Sequence, residues 1–193
     1  MDPSRKTLVQ MSGAPGSGKS TTAHLLVKSL NGVVVNHDLI RSFFLDSDIS
    51  PSQSAKLTYR FQWVLAEDMI KQGRSVIMDS TCNFKETLDD GMSLAQRYGY
   101  VYKYVECRIN DIDLLDQRLR SREPMRSQRT GVELPPSDVT EDDQDQHAIF
   151  KNWIENPCRP VGDLIVVDST QSPEDSLHYI MGRLAPPTGV RPS

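Results

Sequence analysis

The chain has 193 residues, 37% of them hydrophobic and 25% charged, with a net charge of −4. That length suits one domain around a single core, and the composition excludes a disordered chain. No apolar run reaches the length that spans a bilayer, and the excess of acid argues against a protein that coats nucleic acid without regard to sequence.

Lys6 to Ser12 reads as a buried strand entered from the N-terminus with no apolar leader, so a cytoplasmic protein is expected. Gly13 to Gly18 is too rich in glycine to continue it. From Lys19 to Leu30 the spacing turns helical, with Ala23, Leu26, Val27 and Leu30 on one face. Gly32 to Asn36 is a second strand and Asp38 to Leu45 a short helix. Pro51 to Gln72 is a longer helix, stopped by Gly73, with Leu57, Phe61, Val64, Leu65 and Met69 in register as its apolar face. Ser75 to Met78 forms a third strand ending at Asp79, Glu86 to Tyr98 a helix closed by Gly99, and Tyr100 to Cys107 a fourth strand. Asp111 to Arg122 is a helix opened by acidic residues, and Thr140 to Ile154 another, with Thr140 and Asp143 in capping-box spacing. Asp163 to Val167 is a fifth strand and Pro173 to Leu184 the last helix. Trp63 and Trp153 fall on helical patterns and read as core.

Strands alternating with helices in this way predict an α/β fold, a five-stranded parallel sheet flanked by helices with ligands at the carboxyl ends of the strands. Residues 1–184 are expected to form a single domain and 185–193, rich in Pro and Gly, a flexible tail. A segment at about 122–138, containing Pro124, Gly131, Pro135 and Pro136, reads as a mobile lid. Cys82, Cys107 and Cys158 are odd in number and widely spaced, which suggests reduced thiols rather than a disulfide framework or a zinc site.

The chemistry is concentrated in Gly13-Ala14-Pro15-Gly16-Ser17-Gly18-Lys19-Ser20, which has the form G-x-x-x-x-G-K-[ST] between a predicted strand and a predicted helix. Glycines let the backbone curl so that successive N–H groups point inward at phosphate oxygens. Lys19 supplies a cation, the Ser20 hydroxyl a ligand for Mg²⁺, and the helix that starts at Lys19, Thr21 included, its positive end. The loop therefore predicts a bound nucleoside triphosphate, ATP with Mg²⁺. A nucleotide switch of the GTPase kind would need N-K-x-D and D-x-x-G, and neither string occurs.

Asp38 and Arg41 follow the second strand, three residues apart and so on one helical face. Asp38 suits a general base and Arg41 an anion contact; taken alone Asp38 reads rather as an N-cap with Arg41 as its surface partner, and the neighbouring phosphate loop reverses that preference. Asp79, at the tip of the third strand, is a candidate Mg²⁺ partner, and Thr81 and Asn83 are candidate acceptor contacts. Arg118, Arg122, Arg126 and Arg129 crowd the start of the lid, where arginines stabilise the charge of a phosphoryl group in transfer. No aromatic residues interleave with them, as an RNA-stacking surface would require. Cys82 reads as a spectator.

G-x-P-G-S-G-K-S at 13–20, Asn36-x-Asp38-x-x-Arg41 and Asp79-Ser80-Thr81 together resemble the P-loop kinase group that contains polynucleotide 5′-hydroxyl kinases. Zeta-toxin-type and chloramphenicol-phosphotransferase-type kinases are similar, and D-x-x-R after the second strand also occurs in adenylylsulfate kinases. The resemblance covers about Lys6 to Arg129. It implies a kinase-type P-loop NTPase fold with an arginine-bearing lid, and an ATP-dependent phosphotransferase with an alcohol acceptor. Lys19, Asp38, Arg41 and Arg122 would be catalytic, with Asp38 the base. The nucleotide would be held by Gly13 to Thr21, Arg118 and Arg126, and Mg²⁺ by Ser20 and Asp79. His37 and Leu39 stand where the polynucleotide kinases carry further charges, which favours a small-molecule hydroxyl over a nucleic-acid 5′-end. An ATP-binding nucleic-acid-processing module is the remaining alternative.

Overall fold

A computed structural model describes residues 6–136, 145–162 and 164–184. Five strands, β1 (Thr7–Ser12), β2 (Gly32–Asn36), β3 (Ser75–Asp79), β4 (Val101–Arg108) and β5 (Leu164–Asp168), pair in parallel in the order β2-β3-β1-β4-β5. Parallel neighbours need long crossovers. These contain the helices α1 (Lys19–Leu30), α2 (His37–Asp46), α3 (Pro51–Lys71), α4 (Lys85–Tyr98), α5 (Ile112–Ser121) and α6 (Gln146–Glu155), and α7 (Pro173–Leu184) follows the last strand. The result is the five-stranded parallel sheet flanked by helices that the alternation predicts. No helix among the described residues is long and apolar enough to cross a membrane.

β1 lies at the centre of the sheet, so both its faces are covered and Leu8, Val9 and Met11 have no exposed surface. Alternation along the strand divides the core. Val9 and Met11 pack with Ala23, Leu26, Ile77 and Ile180, while Leu8 packs with Ala66, Ile70, Val76 and Leu94. A third cluster of Ala14, Ile109, Leu115, Leu119, Val132 and Phe150 joins the phosphate loop to α5, α6 and the segment after α5. At roughly 1.5–3 kcal/mol for each large side chain fully buried, these layers hold the strand ends in fixed register beneath the loops.

Three expectations are revised. The inward face of α3 is Ser54, Thr58, Gln62, Ala66 and Ile70, while Leu57, Phe61 and Val64 are exposed. Ser54 Oγ donates to the Pro51 carbonyl and Thr58 Oγ1 to the Ser54 carbonyl within the helix, while Gln62 Oε1 pairs with His37 Nδ1 of α2 and its Nε2 has no partner. A helix that carries its own hydrogen bonds inward can bury polar residues, and periodicity of apolar residues then marks the wrong face. Second, the described part of α6 starts at Gln146, capped by Asp145, whose carboxylate accepts from Ala148 N at 3.0 Å. The Thr140–Asp143 box lies outside the described residues, as do Asp163 and the tail from Ala185. Third, Trp153 is half-buried rather than core, and lines the cleft described below.

Gly13 ends β1 with φ +129°, and a Cβ there would stand 2.2 Å from the Cys107 carbonyl oxygen of β4. Gly13→Ala is therefore expected to cost on the order of 2 kcal/mol of stability, read as a lower urea midpoint. A midpoint equal to wild type would mean that the loop is not seated on β4 as described.

Candidate active site

Three glycines of the phosphate loop, Gly13, Gly16 and Gly18, have positive φ, and Gly18 leads into α1 in the left-handed conformation. No acidic residue occupies the first turn of α1, so its positive end is left for an anion. Pro15 to Thr21 line a cleft of about 900 Å³. Gly13 and Ala14 lie behind them, and their carbonyls accept from Lys19 Nζ at 2.7 and 2.9 Å. Burial lowers the Lys19 ammonium below its ordinary range, and Asp79 is the foremost charge opposing that shift. The Ser17 hydroxyl is buried in the loop without a hydrogen-bond partner.

Parallel pairing sets Asn36 level with Asp79 at the ends of β2 and β3. Asn36 Oδ1 accepts from Leu39 N at 3.0 Å, so Asn36 is the N-cap of α2. The capping reading of Asp38 therefore fails, and its carboxylate stands in the first turn, lining the cleft. Arg41, one turn further, is half-buried with its Nε unpartnered. Asp79 is 5% exposed. Burial raises its carboxyl above the usual range, against the pull of the Ser20 hydroxyl and the Lys19 ammonium. A buried carboxylate beside a hydroxyl is a fitting donor pair for a hard divalent cation that completes its shell with water and phosphate oxygens. Gln10, unremarked in the sequence although it interrupts an apolar strand, donates from Nε2 to Ser80 Oγ at 3.1 Å and ties the β3 terminus to the central strand.

The lid arginines separate. Arg118 lines the cleft and donates to the Ser169 carbonyl, just past β5, at 3.1 Å. Arg122, at the C-cap of α5, also lines the cleft; its Nη2 donates to the Arg129 carbonyl at 2.9 Å, while its Nε has no partner. Burial lowers the Arg122 guanidinium from its ordinary range and Asp38 opposes that, so the two lie in one electrostatic neighbourhood. Arg126 is not brought to the cleft. Its Nη1 donates to the Leu45 carbonyl (2.7 Å) and to Asp46 Oδ1 (3.3 Å), at the negative end of α2. Arg129 is buried against the rings of Phe150 and Trp153, 5.7 and 5.6 Å from their centroids.

The segment expected to be a mobile flap is latched onto α2 in this structure. Ser127 Oγ donates to the Asp38 carbonyl (2.9 Å), Ser42 Oγ donates to Ser127 Oγ (3.0 Å), and Gln128 Nε2 donates to Asp38 Oδ2 (2.7 Å). Ser127 and Gln128 in a loop and Ser42 on α2 have no spacing signal, and sequence reasoning missed all three. It also missed the cleft wall of Tyr59 and Phe84, which continues to Thr81 and Asn83. Cys82 is buried and its thiol pushed up to about 12, as a spectator would be.

The sequence model of a family described as an AAA domain matches residues 8–144, more than two thirds of the chain. The chain belongs to the AAA-domain family. No curated protein matches it. Several solved structures share the fold of this AAA-domain protein. One from Chloroflexus aurantiacus has a TM-score of 0.69 at 16% identity, over 93% of this chain and 99% of that one. The APS kinase of Mycobacterium tuberculosis in complex with AMPPNP and APS scores 0.61 at 17% identity, over 93% and 98%. A gluconokinase from Sinorhizobium meliloti scores 0.60 at 13%, over 93% of both. At these identities the likeness is one of fold.

His37 is buried beside Asp38, and burial holds its imidazole below the ordinary value. Below about 6.5 the unfolded chain takes up a proton that the folded protein refuses, so this contribution to stability is full above that value and is lost as pH falls through it. Stability is expected to fall more steeply from pH 7 to pH 5 in the wild type than in His37→Asn, measured by urea unfolding at each pH. Parallel curves would remove His37 from the acid response.

Proposed function

We propose that this protein is an ATP-dependent kinase that passes the γ-phosphoryl group to a hydroxyl of a small molecule, with Asp38 as general base. The position of Asp38 supports this reading above all. Relieved of capping by Asn36, it lines the cleft with Lys19, Arg41 and Arg122. The acceptor oxygen attacks the γ-phosphorus, the bond to the β–γ bridging oxygen breaks, ADP leaves, and the hydroxyl proton passes to the Asp38 carboxylate. Gln128 Nε2 donates to Asp38 Oδ2, which leaves Oδ1 to serve as the base.

Lys19 and Arg122 stabilise the charge on the transferring group, Arg41 faces the acceptor or that same group, and the loop from Gly13 to Thr21 binds the phosphates with Arg118 on the nucleotide side. Ser20 and Asp79 are the residues that would hold Mg²⁺, which when bound neutralises phosphate charge. Family membership and the motif resemblance agree with a kinase. APS kinase and gluconokinase share the fold, and by analogy favour a small acceptor. So does the lid, since a nucleic-acid 5′-end needs a basic channel and Arg126 is engaged at the end of α2 instead of lining the cleft.

Asp38→Asn is expected to bind ATP as the wild type does and to lose kcat by about 10²–10⁴-fold. Full turnover in that variant, in an ADP-release assay with any accepted hydroxyl, would remove Asp38 as the base. The lid gives a second test. Arg122→Ala is expected to lower kcat on the order of 10³-fold, while Arg126→Ala stays within a few-fold of wild type. The reverse order would return the lid role to Arg126.

A further inference from the structure

The sheet order divides the cleft. β1 and its phosphate loop are central; Arg118 of α5, α6 and the stretch from Ser169 to Ser176 after β5 supply one wall, and the ends of β2 and β3 with α2 and Tyr59 of α3 supply the other. Asp38 stands on the second wall, which makes it the acceptor side, and that wall contains a chain of rings. His37 packs on Tyr59 with centroids 4.8 Å apart, and Tyr59 meets Phe84 edge-on at 5.8 Å. His37 is buried and Tyr59 half-buried, but Phe84 is 53% exposed in the mouth of the cleft.

Phe84 is also out of place by local rules. It is the N-cap of α4, where Ser, Thr, Asp or Asn would accept from the first backbone N–H groups, and it gives no cap bond. A residue that forgoes a cap and leaves a ring in water satisfies neither helix nor core. Such inconsistencies between local and global preference gather at functional positions. Asp38, Thr81, Asn83 and Gln128 line the same cleft as the ring.

Resting on the kinase reading, we propose that Phe84, backed by Tyr59, determines acceptor specificity, and that the acceptor is a hydroxyl compound bearing a flat aromatic or heteroaromatic ring. Such a ring stacks or packs edge-to-face on Phe84, while its hydroxyl-bearing substituent reaches Asp38. A nucleobase and an aryl group offer the same contact, whereas a ring-free polyol offers none.

The test measures ADP release by wild type, Phe84→Ala and Phe84→Trp with three sets of acceptors: nucleosides, aryl alcohols, and ring-free polyols such as gluconate and glucitol. Binding of each is measured separately by calorimetry in the presence of a non-hydrolysable ATP analogue. Turnover is expected with nucleosides or with aryl alcohols, the responding set naming the source of the ring. Phe84→Ala is expected to raise KM for that set about ten-fold or more with kcat within a few-fold, and Phe84→Trp to restore it. Unchanged affinity for the ATP analogue reports that the alanine variant is folded. Turnover confined to polyols, or a ring-bearing acceptor indifferent to Phe84→Ala, overturns the proposal and leaves the kinase reading standing. Phe84-dependent binding of a ring compound without turnover supports the subsite and counts against the kinase reading. Absence of both binding and turnover in every set overturns both.

Discussion

The close seat of Gly13 on the Cys107 carbonyl is the contact on which the cleft depends. β1 and β4 are parallel neighbours, and the chain can leave β1 at that point only by lying flat against the end of β4. A side chain is sterically excluded there, and the positive φ that follows turns the backbone back on itself. Once the loop is curled, Lys19 reaches the carbonyls of Gly13 and Ala14, and α1 starts with its positive end facing the hollow. Every later feature of the site is placed relative to that curl by the sheet register, which sets Asn36 beside Asp79 on the neighbouring strands.

The electrostatics follow from confinement. Burial lowers Lys19 and raises Asp79, so each is held away from its charged form by the same exclusion of water. Each is also the other's counterweight: Asp79 is the first charge opposing the shift of Lys19, and Lys19 the first charge opposing that of Asp79. Such a pair gains by admitting a polyanion and a divalent cation together, since the anion supplies Lys19 with charge and the cation supplies Asp79. The Nε atoms of Arg41 and Arg122, both lining the cleft, likewise have no partner. The cleft sets Lys19, Arg41, Arg118 and Arg122 around the buried carboxylate of Asp79, and a phosphate-bearing ligand that binds there would stabilise the folded state.

How much of this was legible follows from the kind of signal each residue gives. The sheet, the phosphate loop, Asp38, Arg41 and Asp79 could be read because strands, helices and loop motifs impose fixed spacings on the chain. Asn36 could have been recognised as the cap of α2, since it stands three residues before Leu39 at a strand end, and doing so would have removed the capping reading of Asp38 in advance. The inward face of α3 could not be read from hydrophobicity, because Ser54, Thr58 and Gln62 are buried through hydrogen bonds that no apolar period reveals. Nor could the four lid arginines be ranked. Their division between cleft, helix terminus and aromatic pocket is set by contacts across more than 80 positions for Arg126 and by the ring pair Phe150 and Trp153 for Arg129.

One short segment after α5 ties the lid to Asp38. Ser127 and Gln128 bind the backbone and the carboxylate of Asp38, while Arg122, seven residues before Arg129, donates to that residue's carbonyl within the same segment. The orientation of Asp38 and the position of Arg122 are therefore set by one short stretch of chain. On the kinase reading this couples the two requirements of the reaction, since a lid that moves away from α2 releases the carboxylate and displaces the guanidinium at once. Water entering an opened cleft would then meet a disassembled site, a simple physical route to favouring a bound hydroxyl over hydrolysis. The apolar contacts of Val132 with Phe150, Leu115 and Leu119 anchor the far end of the segment, leaving 122–129 as the part whose bonds to α2 are few and polar enough to exchange with an acceptor.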